Sequence, residues 1–311
     1  MSGLTVDEVG PDEADDVVAV IHRAFRARPL LDPPSTATDE TRESVAEALG
    51  ATGGLLARGD GAPVGAMLFD MSSPGRLGLR RVGVDPTGQL HGVASAMVGV
   101  AEDVAERRGL DGVWLKARVE LPDTVEFWRR RGYSTELSEG PNLILGKALP
   151  VTRALPTEAD AREFGRRLAG LLAGGDLIVL SGALGAGKTT LTQGIGAGLG
   201  VRGAVTSPTF VIARVHPSEG RGPALVHADA YRLGGVAELD DLDLDASLDA
   251  SVTVVEWGEG VAEGLADDRL EVRLDRLRGG DASGADDTRV VSVRPHGARW
   301  SAVPLRSTLL T

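Results

Sequence analysis

The chain contains no cysteine. Disulfides, thiolate metal sites and a thiol nucleophile are therefore all excluded, and the composition fits a cytoplasmic protein. Lysine is almost absent too. Of 33 basic residues, three are lysines, Lys116, Lys147 and Lys188, and the rest are arginines. With abundant Gly, Ala, Val and Asp, that bias fits a GC-rich genome and makes each surviving lysine informative. Aromatic residues make up 4% of the chain, so its cores must rest on Leu, Val, Ala and Ile. No stretch approaches the roughly 20 apolar residues that span a bilayer, so no membrane association is expected. The acidic start "MSGLTVDEVGPDEADD" lacks the apolar centre of a signal peptide. Positive charge is also in deficit. A net charge of −12 argues against broad nucleic-acid binding by this chain alone, because such binding relies on neutralising phosphates.

At 311 residues, 42% hydrophobic and 25% charged, the chain reads as a globular protein too long for one core. Two mixed α/β domains are expected, meeting near residues 149 and 150 in the proline-bearing segment "ALPVTRALPTEAD" (148–160). Before it, apolar spacing predicts helices over 12–25, about 40–49, 92–109 and 123–132. Strands are expected within 53–71, on both sides of the turn "RGDGAP", and at 76–86, 111–119 and 142–149. After it, helices are expected at 160–175 and from about 188 to 200. Strands are expected at 176–182, 209–215, 224–229, 251–257, 269–274 and 289–295. The Leu/Asp run 238–249 reads as a solvated helix face, and 278–288 as a flexible hairpin loop.

The strongest local signal is "SGALGAGKTT" (181–190). Gly182 to Thr189 fits G-x-x-x-x-G-K-[ST], with a strand before it and a helix after it. Gly182, Gly185, Ala186 and Gly187 let the backbone turn its N–H groups inward around a phosphate, and the helix N-terminus adds positive potential. Lys188 would reach the β- and γ-phosphates, with Thr190 beside it, and Thr189 would place its hydroxyl on Mg²⁺. Arginine is longer, planar and forked, so it does not replace a compact ammonium here. The pattern calls for carboxylates at neighbouring strand ends. "ALVHAD" ends in Asp229 and "SVTVVE" in Glu256. Each can hold Mg²⁺ directly, act through its water, or orient the attacking water.

Five segments then occur in order: "GALGAGKTTLTQGIGAGLGV", "SPTF" (207–210), "HADAYRL" (227–233), the Leu/Asp/Glu stretch 238–248 and "VVEWGE" (254–259). Over about residues 152–300 this resembles the TsaE family of ATPases in bacterial tRNA threonylcarbamoyladenosine synthesis. The resemblance implies ATP and Mg²⁺ as ligands. It implies transferase partners of the TsaD and TsaB type, and only indirect dealings with tRNA at adenosine 37. It also implies that Lys188 and Thr189 serve phosphate and Mg²⁺, and that Ser207, Pro208 and Thr209 form a switch-like loop. Asp229, Tyr231 and Arg232 would match a D-x-Y-R motif, with Asp229 polarising water. Glu256 would be the Mg²⁺-linked acid and Trp257 an aromatic near the base. Ala183 departs from the Asp that many members carry. His227 reads as a satisfied strand residue, because no paired acid or nucleophile is apparent.

In the other half, "VGVDPTGQLHGVASAMV" (82–98) links a strand to a helix through Gln89-x-x-Gly92-x-Ala94. Taken alone, that pattern carries nothing in a Gly/Ala-rich chain. With "EFWRRRGY" (126–133) following, residues 4–148 resemble the GNAT acetyltransferases. The resemblance implies acetyl-CoA as ligand, with Val82 and Val84 flanking a splayed strand and Gln89, Gly92 and Ala94 near the pyrophosphate. Trp128 stands where the family's motif often has a tyrosine acid, and an indole cannot supply that proton. Tyr133 reads as a packed core aromatic, and Glu102, Glu106 and Glu120 as solvated. Three readings follow: an ATPase fused to an acetyltransferase, an ATPase tuned by a non-catalytic acetyl-CoA or partner-binding module, and a P-loop small-molecule kinase. The third would need an acceptor site and usually an arginine-bearing lid, whereas the roughly 120 residues after the P-loop match the TsaE motifs in order.

Overall fold

The computed structural model describes residues 3–86, 92–208, 213–220, 222–230, 250–260, 262, 264–276 and 288–311. The chain divides into two compact units, Met1–Lys147 and Ala148–Thr311.

The first unit is a seven-stranded sheet built from β1 (Leu4–Val9), β2 (Gly54–Gly59), β3 (Ala62–Asp70), β4 (Arg76–Val84), β5 (Gly112–Arg118), β6 (Ser134–Glu139) and β7 (Asn142–Ala148). Its spatial order is β1-β2-β3-β4-β5-β7-β6. Helices α1 (Ala14–Arg26), α2 (Arg42–Thr52), α3 (Val93–Arg107) and α4 (Pro122–Arg129) pack around it. Helix α1 buries Ala14, Val17, Val20, Ile21 and Ala24, a spacing that lays one apolar stripe on the sheet. The Thr41 and Ser44 side chains cap α2 reciprocally. Strands β4 and β5 pair in parallel from Arg76↔Gly112 to Leu79↔Leu115. The ladder ends there, although β4 runs on to Val84 and β5 to Arg118. The two strands therefore fork. A register shift against β3 and a left-handed Arg81 (φ 53°) bend β4 at the fork.

The second unit holds β8 (Val151–Leu155), α5 (Glu158–Ala169), β9 (Leu177–Gly182), α6 (Lys188–Leu199), β10 (Ala213–His216), β11 (Ala224–Asp229), β12 (Ser251–Glu256), β13 (Arg269–Arg276), β14 (Arg289–His296) and α7 (Leu305–Leu309). Its sheet order is β10-β11-β12-β9-β13-β14-β8. The four central strands run parallel, and antiparallel strands close both edges. β9, β11 and β12 read as short apolar runs because both faces of a central parallel sheet are covered.

Several elements differ from the sequence-based expectation. Residues 151–155 lie in the expected inter-domain segment yet form an edge strand on β14. β1 and β6 are edge strands whose exposed, polar positions hide the alternation. The strand expected over 209–215 is described only from Ala213. The acidic run and all of the 278–288 loop but its last residue lie outside the described residues. The core is largely aliphatic, but Trp300, Tyr133, Phe69 and Phe164 are among its largest fully buried side chains.

Candidate functional site

β9 ends in Gly182, and α6 begins at Lys188. Gly182 (φ 141°) and Gly187 (φ 100°) hold the turn between them in backbone conformations that a side chain resists. A Cβ on Gly182 would lie 2.4 Å from the Leu274 carbonyl oxygen of β13, so this glycine is also fixed by close packing. Arg289 of β14 is buried and donates from Nε to the Ala186 carbonyl at 3.0 Å. The loop is thus held from a strand 103 residues away in sequence.

Inside the turn, the Lys188 ammonium donates to the carbonyls of Gly182 (2.9 Å) and Ala183 (3.2 Å). The Trp257 ring covers it at 3.8 Å. Burial pulls Lys188 below its ordinary pKa, and the charges of Glu256 and Asp229 oppose that shift. Those carboxylates stand in register at the ends of β11 and β12, and Glu256 pairs in turn with Leu180 of β9. Both are almost fully buried. Thr189 donates from Oγ1 to Glu256 Oε1 at 3.0 Å. Thr190 is half-buried on the first turn of α6, Gly185 is exposed and Ala186 buried. The arrangement gathers a cation, a hydroxyl and two carboxylates at the carboxyl ends of parallel strands, where open α/β sheets bind ligands. The donor set suits a phosphate with a hard cation, since oxygen ligands and an ammonium are what those groups take.

One residue here differs from the sequence reading. His227 does have an acid partner: its Nε2 lies 2.9 Å from Glu256 Oε1, the oxygen that also accepts from Thr189. Accepting from both fixes Glu256, and it requires the Nε2–H tautomer of His227. His227 is fully buried, and its Nδ1 has no partner among the described residues. The apolar run "ALVHAD" hid this pairing, because Glu256 lies 29 residues on. The Trp257 ring, expected near a base, covers the Lys188 ammonium. Its left-handed backbone (φ 60°) and its N–H bond to Leu180 turn the ring there. Ser207 and Pro208 are described, whereas Thr209, Tyr231 and Arg232 are outside the described residues.

His227 should therefore act as a positioning residue. His227→Leu should slow ATP turnover by about tenfold, as loss of an outer-shell partner does, with nucleotide affinity kept. His227→Gln, which keeps an N–H donor, should retain more activity. Equal loss in both variants would dismiss the bond to Glu256 as the cause.

In the first unit, the β4/β5 fork opens into a cavity of about 910 Å³. Val82, Val84 and Ala94 line it. Gly92 caps α3 in a left-handed conformation (φ 90°), and Gln89 lies outside the described residues. Trp128 is buried edge-on between Phe127 and Tyr133. Tyr133 is a core residue, as expected. Its hydroxyl donates to Glu102 at 3.1 Å, and burial pushes its pKa well up. Glu102 is not solvated as expected: it accepts from Lys147 at 2.8 Å, tying α3 to β7. Glu120 is exposed but pairs with Arg118 at 2.6 Å.

Comparison with known proteins fits both halves. Residues 155–282 match the family model described as threonylcarbamoyl adenosine biosynthesis protein TsaE. A tRNA threonylcarbamoyladenosine biosynthesis protein TsaE from Streptomyces coelicolor is 67% identical over 141 residues, 45% of this chain and 93% of that protein. The chain belongs to the TsaE family. The protein of the same description from Mycobacterium tuberculosis is 50% identical over 137 residues, 42% of this chain and 82% of its own length. Ahead of the TsaE region, residues 20–133 match the acetyltransferase (GNAT) family model, so the chain is a fusion of the two. A solved GNAT-family acetyltransferase from Streptococcus pneumoniae is 18% identical, covering 47% of this chain and 99% of that one, with a TM-score of 0.42.

No helix among the described residues is long and apolar enough to cross a membrane. No group of three or more His, Cys, Asp or Glu side chains suited to a metal occurs among them either.

Proposed function

We propose that the TsaE half hydrolyses ATP in support of tRNA threonylcarbamoyladenosine synthesis in the cytoplasm, working with transferase subunits of the TsaD and TsaB type and touching tRNA only through them. The observation carrying this reading is the Thr189–Glu256 bond at 3.0 Å beside Lys188 and Asp229, on adjacent strand ends. Bound ATP and Mg²⁺ supply the bond to be cleaved and the charge that balances its phosphates. Lys188 stabilises negative charge on the outer phosphates. Thr189 and Glu256 would hold the metal, with Glu256 fixed by His227. Asp229 orients the attacking water and takes up its proton. Trp257 shields the lysine from solvent.

For the N-terminal half, the reading is acetyl-CoA-dependent N-acetylation. The fork takes β4 beyond Leu79 and β5 beyond Leu115 out of their ladder, leaving room for an extended thioester arm between them, and the N-terminal end of α3 suits its pyrophosphate. The acceptor nitrogen bonds to the acetyl carbonyl carbon as the carbon–sulfur bond breaks, and the amine proton ends on the thiol. Trp128 at the acid's place and the commitment of Tyr133 to Glu102 favour a second reading, a module that binds acetyl-CoA and tunes the ATPase without transfer.

Calorimetric titration of the full chain should find one site for acetyl-CoA in the micromolar range and a separate one for ATP–Mg²⁺. Failure to bind acetyl-CoA would leave the N-terminal unit a scaffold and rest the chain's function on the ATPase half.

A further inference from the structure

The cavity at the fork is lined from both faces of the first sheet. One face carries α3: a Cβ on Gly65 would meet Val93 and Met97. The other carries α1: a Cβ on Gly83 would meet Ala24 and Phe25. Asp70, Arg80, Trp114 and Lys116 share the α1 face. Asp70 pairs with Gly78 and Leu68 with Arg80, and a Cβ on Gly78 would touch both Asp70 and Trp114. Lys116 lies two residues beyond Trp114 on the same strand.

On this α1 face the cations outnumber their partners. Arg28 leans over the fork, donating to the Val82 carbonyl at 2.8 Å and stacking on Phe25 at 3.8 Å. It has no carboxylate partner among the described residues, and burial lowers its pKa. Lys116 has no ion-pair partner among the described residues either. Arg80 is only 4.0 Å from Asp70, at the limit of a pair. The neighbouring Arg81 and Arg118 are already matched, to Glu40 and Glu120. A half-buried guanidinium held by a carbonyl alone is a natural site for a ligand's negative charge.

We infer that the acceptor is a primary amine that itself carries a carboxylate, bound on the α1 face with its carboxylate on Arg28 and Lys116 and its ammonium towards Asp70. The inference rests on the acetyl-transfer reading of this unit. An amine with no anion would leave Arg28 and Lys116 unmatched, and a cationic one would be repelled by them. The α3 face, where the α3 N-terminus lies, is left to the phosphates of the thioester.

The test uses the full chain, acetyl-CoA and thiol release with matched amines: β-alanine against propylamine, and a peptide beginning with Asp against one beginning with Asn. The carboxylate-bearing member of at least one pair should show a KM about tenfold lower, the scale of one charge-assisted hydrogen bond. The pair that does so separates a free amino acid from a peptide. Lys116→Ala should raise that KM about tenfold while acetyl-CoA affinity, read by calorimetry, is unchanged. Lys116→Glu should reverse the preference. A preference for neutral amines would overturn the inference, as would transfer to none of the four while acetyl-CoA binds. Weaker acetyl-CoA binding by Lys116→Ala would assign these cations to the thioester's phosphates and also overturn it. Absence of acetyl-CoA binding in the unaltered chain would remove the underlying reading and the inference together.

Discussion

Lys188→Ala should abolish ATP hydrolysis. The ammonium is the buried cation inside the turn, held by two carbonyls and roofed by Trp257. Its removal leaves the outer phosphates without their main side-chain charge, and losing one preorganised donor of this kind costs about 10²–10³ in rate. Phosphate release, measured with the transferase subunits present, should fall at least that far. Lys188→Arg should not restore it, because a planar fork does not fit between the Gly182 and Ala183 carbonyls and the indole ring. Turnover unchanged by Lys188→Ala would remove the P-loop assignment altogether. A slow ATPase in the chain without partners would not, because a partner-dependent enzyme is what the reading describes.

Asp229→Asn should slow hydrolysis by about a hundredfold, in the range attributed to a positioned general base, while nucleotide affinity stays within a few-fold. The substitution keeps size and shape and removes charge. Asp229 is nearly buried at the end of β11, in register with Glu256, so the contacts of Glu256 with Thr189 and His227 should survive. Nucleotide binding by fluorescence titration and single-turnover phosphate release together separate the two effects. Loss of all nucleotide affinity would place Asp229 among the binding groups and end its assignment to the water.

The P-loop was the most legible part of the molecule. Its residues are consecutive, and the spacing of Gly182, Gly187, Lys188 and Thr189 describes one turn. The helices with strong apolar stripes, α1 and α5, were legible for the same local reason, since a 3.6-residue period is visible in any short window. Three of the four edge strands were not. β1, β6 and β8 show mostly exposed or half-exposed positions, so their identity depends on the strand they pair with. The cations on the α1 face of the fork were equally hidden, because Arg28 follows α1 while Arg80 and Lys116 lie on β4 and β5, and each reads singly as a solvated charge.

The sequence by itself determined which chemistry the second half can perform. A glycine-rich turn, one of three lysines and two carboxylates ending apolar strands are local facts, and the order of the TsaE motifs needs no coordinates. Tertiary structure alone decided how those groups are held. Only the parallel pairing of β11 with β12 brings His227 beside Glu256, and only the β13–β14 side of the sheet brings Arg289 under Ala186. Only the backbone turn at Trp257 brings its ring over Lys188. The physical reason is range. Turn geometry and helical periodicity are set by neighbours within a few residues, whereas a hydrogen bond across 29 or 103 residues exists only once the sheet has closed around it.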